Sequence, residues 1–484
     1  MAFEYNTTKL YVDGKWVSST AKDLLKVRSP STEEIIGCAP SATTEDIDRA
    51  VMSARAAFDH GPWPRMSMQE RGKYLRAAAA EIMRRKEEFG RVTADESGLA
   101  KVKNADFLVQ ATAFMLNYYA DLGEKHPIEE LRQGMMNSII VRKEPVGVVG
   151  SIMPWNAPIA ISHMSLAPAL MAGCCVILKP APETPLYAQL LAEVYDAIGM
   201  PPGVFNVTPA DREVSEYLVR HQGIDKISFT GSTQVGRRIG SICGEQIKRF
   251  SLELGGKSAA IVLEDADLSQ VMPGLLFAAL INNCEACVGQ TRILAPANRY
   301  DEVLQAFAEG VARSKVGDPH DPETDMGPLI SERQRSRVEQ YIEIGKSEGA
   351  KLVLGGGRVP DLKRGYYVQP TVFANVNNQM RIAREEIFGP VFSVIPYRNE
   401  EDAIAIANDS TYGLSGTVWT SDQAHGVDIA RRVRTGNYGV NCFNLDMTAP
   451  FGGFKESGIG RQYGIEGLQA YFELKSIHLP GAAS

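Results

Sequence analysis

The chain has 484 residues, of which 44% are hydrophobic and 23% charged, a balance that excludes collagen-like, disordered and small disulfide-rich proteins. At roughly 100 to 200 residues per domain, this length predicts a globular protein of two to four domains. Lysine and arginine number 51 against 58 acidic residues, so the net charge is -7. This charge gives no electrostatic basis for binding nucleic acid or a membrane surface, and we expect a small-molecule partner.

Targeting and membrane signals are weak. The N-terminal residues show no basic stretch followed by an apolar core, so they do not resemble a secretory signal. The longest apolar run, residues 166–178, falls short of the ~20 residues that span a bilayer, and we expect it to be a buried element. Seven cysteines, an odd number, favour reduced thiols and a cytoplasmic location over a disulfide scaffold.

The order of predicted elements indicates an α/β fold. Amphipathic patterns over residues 43–58, 67–96 and 104–119 predict a first quarter that is mostly helical. Short β-branched runs then alternate with helix-length segments, first at residues 146–152, 175–178, 205–207, 226–229 and 259–263, and later at residues 291–294, 351–354, 391–395 and 416–419. That alternation is typical of βαβ units, and it predicts two α/β lobes.

Two segments fit neither lobe. Residues 124–143 and the tail from about residue 470 lack the alternation of strands and helices. We expect them to form an edge ribbon between subunits.

A strand followed by a glycine turn precedes a helix that we expect to begin near Ser232 or Thr233. The backbone N–H groups and hydroxyl of such a helix start favour a phosphate group. The turn is neither GxGxxG nor a Walker loop, so a phosphate site and an ordinary capped helix both remain open.

Two further residues have chemistry that the sequence leaves open. Glu253 lies between two leucines before paired glycines, where it is either a desolvated base or a charge at the end of a strand. In Cys284-Glu-Ala-Cys287, one thiol is a nucleophile or both pack inertly. The absence of a second CxxC and of HExxH argues against a metal site.

Seven motifs in one order resemble a known family. They are Met153-Pro-Trp-Asn156, Leu178-Lys-Pro-Ala-Pro-Glu-Thr-Pro-Leu186, Phe229-Thr-Gly-Ser-Thr233, Glu253-Leu-Gly-Gly-Lys257, Cys287, Glu386-Ile-Phe-Gly-Pro390 and Pro450-Phe-Gly-Gly-Phe-Lys-Glu-Ser-Gly-Ile-Gly-Arg461. Together they closely resemble the aldehyde dehydrogenase superfamily, of the hydrolytic, non-acylating type, over about residues 11–477. The resemblance implies an α/β fold with two parallel-sheet α/β domains and a small β oligomerisation ribbon.

The resemblance also implies domain boundaries. Residues 1–123 and 145–255 would form the nucleotide-binding domain, and residues 256–469 the catalytic domain. Residues 124–144 and 470–484 would be the oligomerisation segments of a homodimer or homotetramer.

Three catalytic residues follow from the resemblance. Cys287 matches the family's nucleophile, and a thiolate can add to an aldehyde carbonyl and later leave from a thioester. Asn156 matches the residue whose side-chain amide, together with the backbone N–H of Cys287, donates to the oxyanion. Glu253 matches the base that activates water against the acyl-enzyme, and it can also deprotonate the thiol.

The implied cofactor is NAD, with NADP possible. Lys179 matches the family lysine that reaches the adenosine ribose, Ser232 the pyrophosphate contact and Glu386 the carboxylate on the nicotinamide ribose. The other residues assigned to the cofactor are Ile152, Pro154, Trp155, Pro182, Phe229, Thr230, Gly231, Leu254 and Phe388.

This chain departs from the family pattern at four positions. Many members carry glycine and glutamine where this chain has Cys284 and Glu285, so a positive φ would strain Cys284. That thiol then either packs under the loop or forms a disulfide with Cys287. Pro182 replaces a glutamate common in NAD-preferring members, and Gln462 replaces an acid associated with proton handling.

The substrate pocket is expected to be apolar. Its predicted lining is Ala157, Ile161, Met164, Ala286, Val288, Leu445 and Met447. None of these is a cation that could bind the distal carboxylate of a semialdehyde, so an aromatic or terpenoid aldehyde is expected. Two alternatives are a cofactor-independent thioester or ester hydrolase and a non-catalytic binding protein.

Overall fold

The computed structural model describes residues 5–135 and 137–480. Its strands are β1 (Tyr5–Asn6), β2 (Lys9–Val12), β3 (Lys15–Ser18), β4 (Leu24–Arg28), β5 (Ile35–Pro40), β6 (Glu129–Gln133), β7 (Ser138–Pro145), β8 (Val148–Ile152), β9 (Cys175–Lys179), β10 (Phe205–Val207), β11 (Lys226–Thr230), β12 (Arg249–Glu253), β13 (Ser258–Val262), β14 (Gln290–Pro296), β15 (Lys351–Leu354), β16 (Thr371–Ala374), β17 (Val391–Tyr397), β18 (Tyr412–Gly413), β19 (Gly416–Trp419), β20 (Gly439–Val440), β21 (Phe454–Lys455), β22 (Gly458–Ile459) and β23 (Phe472–His478).

The α-helices are α1 (Thr44–Asp59), α2 (Met68–Arg84), α3 (Lys86–Ser97), α4 (Asp106–Lys125), α5 (Pro158–Ala172), α6 (Leu186–Ala197), α7 (Arg212–Arg220), α8 (Thr233–Glu245), α9 (Leu268–Leu280), α10 (Tyr300–Ala312), α11 (Glu332–Ser347), α12 (Arg381–Arg384), α13 (Glu400–Asn408), α14 (Gln423–Arg432) and α15 (Gly464–Gln469). Short 3-10 turns lie at Trp63–Arg65 and Ala297–Arg299, and a π-helical turn lies at Lys101–Ala105. The turn at Ile281–Cys284 contains residues with left-handed backbone conformation.

The first sheet has eight strands in the order β22-β12-β11-β8-β9-β10-β2-β3. The strands from β12 to β10 in that order are parallel, and β22, β2 and β3 are antiparallel additions at the edges. Strands β8 and β9 are buried along their whole length, as their continuous apolar sequence requires. The β-branched runs did not predict strand β12, although a strand that ends at Glu253 was one of the two interpretations of that residue.

The prediction that the first quarter is mostly helical is wrong for its beginning. Strands β1 to β5 lie between Tyr5 and Pro40. The β2–β3 hairpin extends the first sheet, while β1, β5 and β4 form a separate three-stranded sheet. These strands have only two to six residues, too few for a clear alternation of apolar and polar side chains, and β1 and β2 also pair with the later strands β5 and β10.

The second sheet has seven strands in the order β15-β16-β17-β14-β13-β19-β20, all parallel except β15. Alternate residues of β13 face two different apolar clusters. Ala259 and Ile261 belong to one cluster, and Ala260 and Val262 belong to the other. The sheet is therefore covered by helices on both faces, in agreement with the predicted α/β organisation. Strand β16 was not predicted.

A three-stranded antiparallel ribbon, in the order β23-β7-β6, stands apart from both sheets. Strands β6 and β23 are almost entirely exposed, and Leu131 and Leu474 are 63% and 69% exposed. The predicted edge ribbon is thus present, and its place between subunits stays a prediction. Residues 1–4, 136 and 481–484, which the predicted domain boundaries include, lie outside the described residues.

The helical pattern predicted over residues 67–96 is two helices. A capping box at Ser67 and Glu70 starts α2. The chain leaves the helical conformation at Arg85, with φ -100° and ψ 18°, and α3 begins at the next residue. The apolar spacing continues through the break, which is why periodicity alone did not find it.

The apolar run over residues 166–178 is buried, as predicted. It covers the end of α5, the left-handed Gly173 and most of β9. Among residues 5–135 and 137–480, no helix combines the length and apolar character needed to cross a membrane.

A buried histidine lies between α5 and α6. His163 Nδ1 donates to the Ile159 carbonyl at 2.8 Å, and the Tyr195 hydroxyl donates to Nε2 at 3.4 Å. A carbonyl can only accept, so the proton is assigned to Nδ1. Burial lowers the pKa of His163 to about 4.

This histidine predicts part of the acid sensitivity of the fold. The unfolded chain, with a histidine pKa of about 6.5, binds a proton first as the pH falls, so stability from this residue is present above pH 6.5 and is lost towards pH 4. The loss is about 3 kcal/mol. We expect His163→Gln to flatten this part of the pH dependence of the unfolding free energy, measured by urea denaturation. The exposed His60→Gln is the control, and equal slopes in His163→Gln and the unmodified protein would contradict the prediction.

Candidate active site

The end of β12 meets the loop before β14 at two glycines. A Cβ on Gly255 would overlap the carboxylate of Glu386, and a Cβ on Gly256 would overlap the carbonyl oxygen of Cys287. The Gly256 N–H also donates to Glu386 Oε1 at 3.0 Å. At Gly256 a side chain would meet backbone and push the two segments apart, whereas at Gly255 it would displace the Glu386 carboxylate from this segment.

The predicted nucleophile, Cys287, is half-buried between the Ile281–Cys284 turn and β14. Burial, assisted by the negative charges of Glu386 and Glu253, raises the pKa of Cys287 to about 12. The resting group is therefore a thiol, and forming the thiolate requires a base or a change in its surroundings.

The predicted base, Glu253, is buried at the end of β12. Its Oε2 has no hydrogen-bond partner among the described residues, and Gly452 leaves it room, since a Cβ there would lie 2.7 Å from Oε1. Burial raises the pKa of Glu253 well above its usual range, and the nearby Arg461 opposes this shift. Gln462 is also buried, and in the part of the chain that the structure describes neither atom of its amide is hydrogen-bonded.

The predicted oxyanion donor, Asn156, lies between β8 and α5 and is buried. Its Nδ2 donates to the carbonyl oxygen of Glu285 at 2.7 Å. The amide is thus fixed against the same loop that carries Cys287, and one of its two N–H bonds is used in doing so.

The second thiol of the loop packs beneath it. Cys284 has a φ of 61°, the positive value that would strain it, and its side chain is buried. Its sulfur lies 4.0 Å from that of Met326. All seven cysteines are free. The structure therefore agrees with packing rather than with a Cys284–Cys287 disulfide.

At the carboxyl ends of the first sheet, one predicted cofactor residue is a buried lysine. Lys179 ends β9, and its carbonyl accepts from the Met153 N–H at 3.0 Å, which keeps the ends of β9 and β8 together. Burial lowers the pKa of Lys179 to about 8.

The helix after β11 begins as predicted. Ser232 is the N-cap of α8, and its Oγ accepts from the Val235 N–H at 3.4 Å. Ser232 is exposed, so the N-terminus of α8 faces solvent, an arrangement suited to an anion. The hydroxyl of Thr230, just before the turn, is buried and lacks a partner among the residues described.

A loop from the second sheet completes this side of the site. The ring of Phe388 packs edge to face on Trp155, with centroids 5.3 Å apart. Burial raises the pKa of Glu386 to about 7. Arg337 and Gln334 of α11 donate at 2.6 Å to the carbonyls of Glu386 and Phe388. No motif identified these two helix residues, because they act on backbone atoms.

The remaining cofactor residues lie near the ends of the same strands. Ile152 is the last residue of β8 and Phe229 the next-to-last residue of β11, and both are buried. Pro154 and Gly231 lie in the turns that follow these strands. Leu254 follows β12 and is buried, whereas Pro182 is half-buried in the loop before α6.

The predicted pocket residues divide into two groups. Met164 and Val288 are buried in the same apolar cluster that Cys287 packs against, and Ile161, Ala286, Leu445 and Met447 pack half-buried on it. Ala157 is buried at the N-cap of α5 but is not part of this cluster.

Two aromatic residues of the same cluster were not predicted. Phe451 and Tyr463 are buried in contact with each other, with centroids 5.7 Å apart. The phenol of Tyr463 lies near Cys287 and Glu253. Burial raises the pKa of this phenol, and the negative charges of Cys287 and Glu253 raise it further. Among the described side chains, no group of three or more His, Cys, Asp or Glu could hold a metal ion.

Comparison with known proteins identifies the family. Residues 16–477 match the aldehyde dehydrogenase family. Geranial dehydrogenase of Castellaniella defragrans is 47% identical over 98% of this chain and 98% of its own. The 3-succinoylsemialdehyde-pyridine dehydrogenase of a Pseudomonas species is 40% identical over 97% of this chain and 98% of its own.

Solved structures agree in fold. Mycobacterium tuberculosis aldehyde dehydrogenase complexed with NAD+ is 47% identical, covers 100% of both chains and superposes with a TM-score of 0.96. A mutant of aldehyde dehydrogenase C from Pseudomonas syringae, complexed with NAD+ and octanal, is 38% identical, covers 97% and 96% of the two chains and has a TM-score of 0.94. The predicted family and α/β fold class are confirmed, and this chain belongs to the aldehyde dehydrogenase family.

Proposed function

We propose that this aldehyde dehydrogenase oxidises an apolar aldehyde to the carboxylic acid, with NAD as acceptor and Cys287 as nucleophile. The observation that carries the proposal is the meeting of three segments at Gly255 and Gly256, which brings Cys287 and Glu386 against the end of the strand that bears Glu253. The proposed nucleophile Cys287, the proposed base Glu253 and Glu386, the carboxylate proposed to bind the nicotinamide ribose, thus come together from distant parts of the chain.

The chemistry follows from three side chains. The Cys287 thiolate adds to the aldehyde carbon, and the Asn156 amide and the Cys287 N–H stabilise the oxyanion. The hydrogen on that carbon leaves with its electron pair, which oxidises the carbon and leaves a thioester. Glu253 then takes a proton from water, the hydroxide adds to the thioester, and the C–S bond breaks to release the acid and restore the thiolate.

The residues at the carboxyl ends of the first sheet fit a dinucleotide. The Thr230 hydroxyl is buried without a hydrogen-bond partner among the described residues, Lys179 is buried at the end of β9, and the N-terminus of α8 is open to solvent. Lys179 would hold the adenosine ribose, Ser232 the pyrophosphate and Glu386 the nicotinamide ribose. When bound, NAD supplies the acceptor for the hydride.

The coenzyme choice is proposed as NAD with tolerance of NADP. Pro182 stands where an acid would repel a 2′-phosphate, and the buried cation of Lys179 is nearby in the chain. The solved aldehyde dehydrogenases of Mycobacterium tuberculosis and Pseudomonas syringae are complexed with NAD+.

The substrate is proposed to be apolar, of aromatic or terpenoid size. The seven predicted pocket residues carry no charge, and six of them, including Met164 and Val288, belong to or pack on the large apolar core of the first sheet, on which Cys287 also packs. The similarity to geranial dehydrogenase supports this choice.

We also propose a cytoplasmic homodimer or homotetramer. The free cysteines favour a reducing compartment. The exposed apolar side chains of the ribbon, such as Leu131 and Leu474, favour an interface with a second copy.

Replacing the nucleophile tests the central step. Cys287→Ala should abolish aldehyde-dependent NADH formation, because no other group can form the thioester, while NAD binding persists. Turnover is followed at 340 nm and binding by quenching of tryptophan fluorescence. The exposed Cys442→Ala is the matched control and should keep full turnover. Substantial NADH formation by Cys287→Ala would refute the assignment.

Replacing the base separates the two half-reactions. Glu253→Gln should preserve a burst of NADH but slow steady turnover by about 10²- to 10⁴-fold, because hydrolysis loses its base. Since burial raises the pKa of Glu253, the steady rate of the unmodified enzyme should fall as the pH is lowered and the carboxyl is protonated. Rapid-mixing kinetics measures both phases, with the exposed Glu473→Gln as control. Loss of the burst would make Glu253 the activator of the thiol instead.

An aldehyde panel tests the pocket. We expect a higher kcat/KM for geranial and benzaldehyde than for succinic semialdehyde, because each buried methylene contributes about 0.8 kcal/mol and an unpaired carboxylate in an apolar pocket is costly. Met164→Arg should shift the preference towards the semialdehyde. The panel is run with NAD and with NADP, where slower but measurable NADP turnover is expected. A preference of the unmodified enzyme for the semialdehyde would reject the apolar pocket.

A further inference from the structure

The loop that carries Cys287 has an unusual backbone. Asn282, Asn283 and Cys284 have φ values of 51°, 55° and 61°, so three consecutive residues lie in the left-handed region. Residues other than glycine enter this region at a cost, which asparagine tolerates better than cysteine does. Such a run persists only where surrounding contacts hold it.

Most of the contacts come from one segment, residues 326–330, here called the buttress segment. The sulfur of Cys284 lies 4.0 Å from that of Met326. The Ile330 N–H donates to Glu285 Oε1 at 3.2 Å. The loop residue just before Cys284 makes more hydrogen bonds to the buttress segment than Cys284 or Glu285 does.

That residue is Asn283, which is fully buried. Its amide nitrogen donates to the carbonyl of Pro328 at 3.1 Å and to that of Gly98 at 2.9 Å. Its amide oxygen accepts from the Gly327 N–H at 2.8 Å. Both amide hydrogens are therefore used, and one side chain joins the loop to the buttress segment and to the end of α3.

The position of this loop also fixes the oxyanion donor. The carbonyl oxygen of Glu285, two residues after Asn283, accepts from the amide of Asn156. A shift of the loop would move Cys287 and release Asn156 together.

We propose that Asn283 is a positioning residue that holds Cys287 and Asn156 in the arrangement the reaction requires, by clamping the left-handed loop to the buttress segment. The inference rests on the proposed role of Cys287 as nucleophile. Buried hydrogen bonds of this kind also stabilise a fold, so the test must separate local positioning from general stability.

The chain offers a matched control in the neighbouring residue. Asn282 has nearly the same φ, is half-buried, and its side chain makes no hydrogen bond to another described residue. Glycine tolerates positive φ, so Asn283→Gly and Asn282→Gly both permit the loop backbone. The two variants differ in the amide contacts that they remove.

The experiment measures catalysis and thiol accessibility in the same samples. We expect Asn283→Gly to lower kcat about 10-fold or more, because small displacements of reacting groups are costly, with KM for NAD changed less than about twofold. Iodoacetamide labelling, read by peptide mass spectrometry, should become faster at Cys287, because the freed loop exposes the thiol. The buried Cys174 and Cys243 should stay protected, with the exposed Cys442 as rate reference. Asn282→Gly should match the unmodified enzyme.

Four outcomes would overturn the proposal: an unchanged kcat in Asn283→Gly, equal losses in Asn282→Gly, faster labelling of all buried cysteines together, or a lower kcat with unchanged labelling of Cys287. If Asn283→Gly does not fold, Asn283→Asp decides, since it keeps the acceptor and the shape but loses both donors. If neither variant folds, the amide is a folding determinant and the proposal fails. Retained turnover in Cys287→Ala would instead refute the proposed function. The labelling rates would still show whether Asn283 holds the loop in place.

Discussion

The active site depends on close approach at Gly255 and Gly256, where the Glu386 carboxylate lies against the first glycine and the Cys287 carbonyl against the second. At this point a strand of the first sheet ends and two loops next to strands of the second sheet arrive, one with Cys287 and one with Glu386. A methyl group at Gly256 would force the two backbones apart, and one at Gly255 would displace the Glu386 carboxylate. The absence of side chains at these two positions therefore lets Cys287 and Glu386 lie close to the strand that bears Glu253.

Burial is the second influence on the site, and it drives the titratable groups towards their neutral forms. It raises the pKa of Cys287 to about 12 and that of Glu386 to about 7, and it lowers the pKa of Lys257 to about 7. A charge created in such surroundings interacts strongly with any fixed dipole that faces it. The amide of Asn156 is a dipole of that kind, fixed by Glu285.

Much of this architecture could be predicted from the sequence, because parallel strands buried on both faces leave continuous apolar runs. The start of α8 at Thr233 could also be predicted, because its N-cap and the glycine turn before it are adjacent in the sequence. The strands up to Pro40 could not be predicted, because they have only two to six residues each. The break at Arg85 could not be predicted either, because the apolar spacing continues through it. Cys287 and Glu386, both matched by motif, lie at the paired glycines, whereas Asn283 has partners at Gly98 and Pro328 that no local pattern relates to it.

The edge strands have a consequence for how the protein is made. In the first sheet β12 pairs with β22, Leu252 opposite Ile459, and in the ribbon β7 pairs with β23, Pro145 opposite Phe472. A ribosome releases β7 and β12 long before their partners, with the whole second sheet synthesised in between. The edges of β12 and β7 that face these partners therefore stay unpaired through most of translation. Unpaired strand edges favour aggregation, so we expect chaperone binding to be most useful during this period.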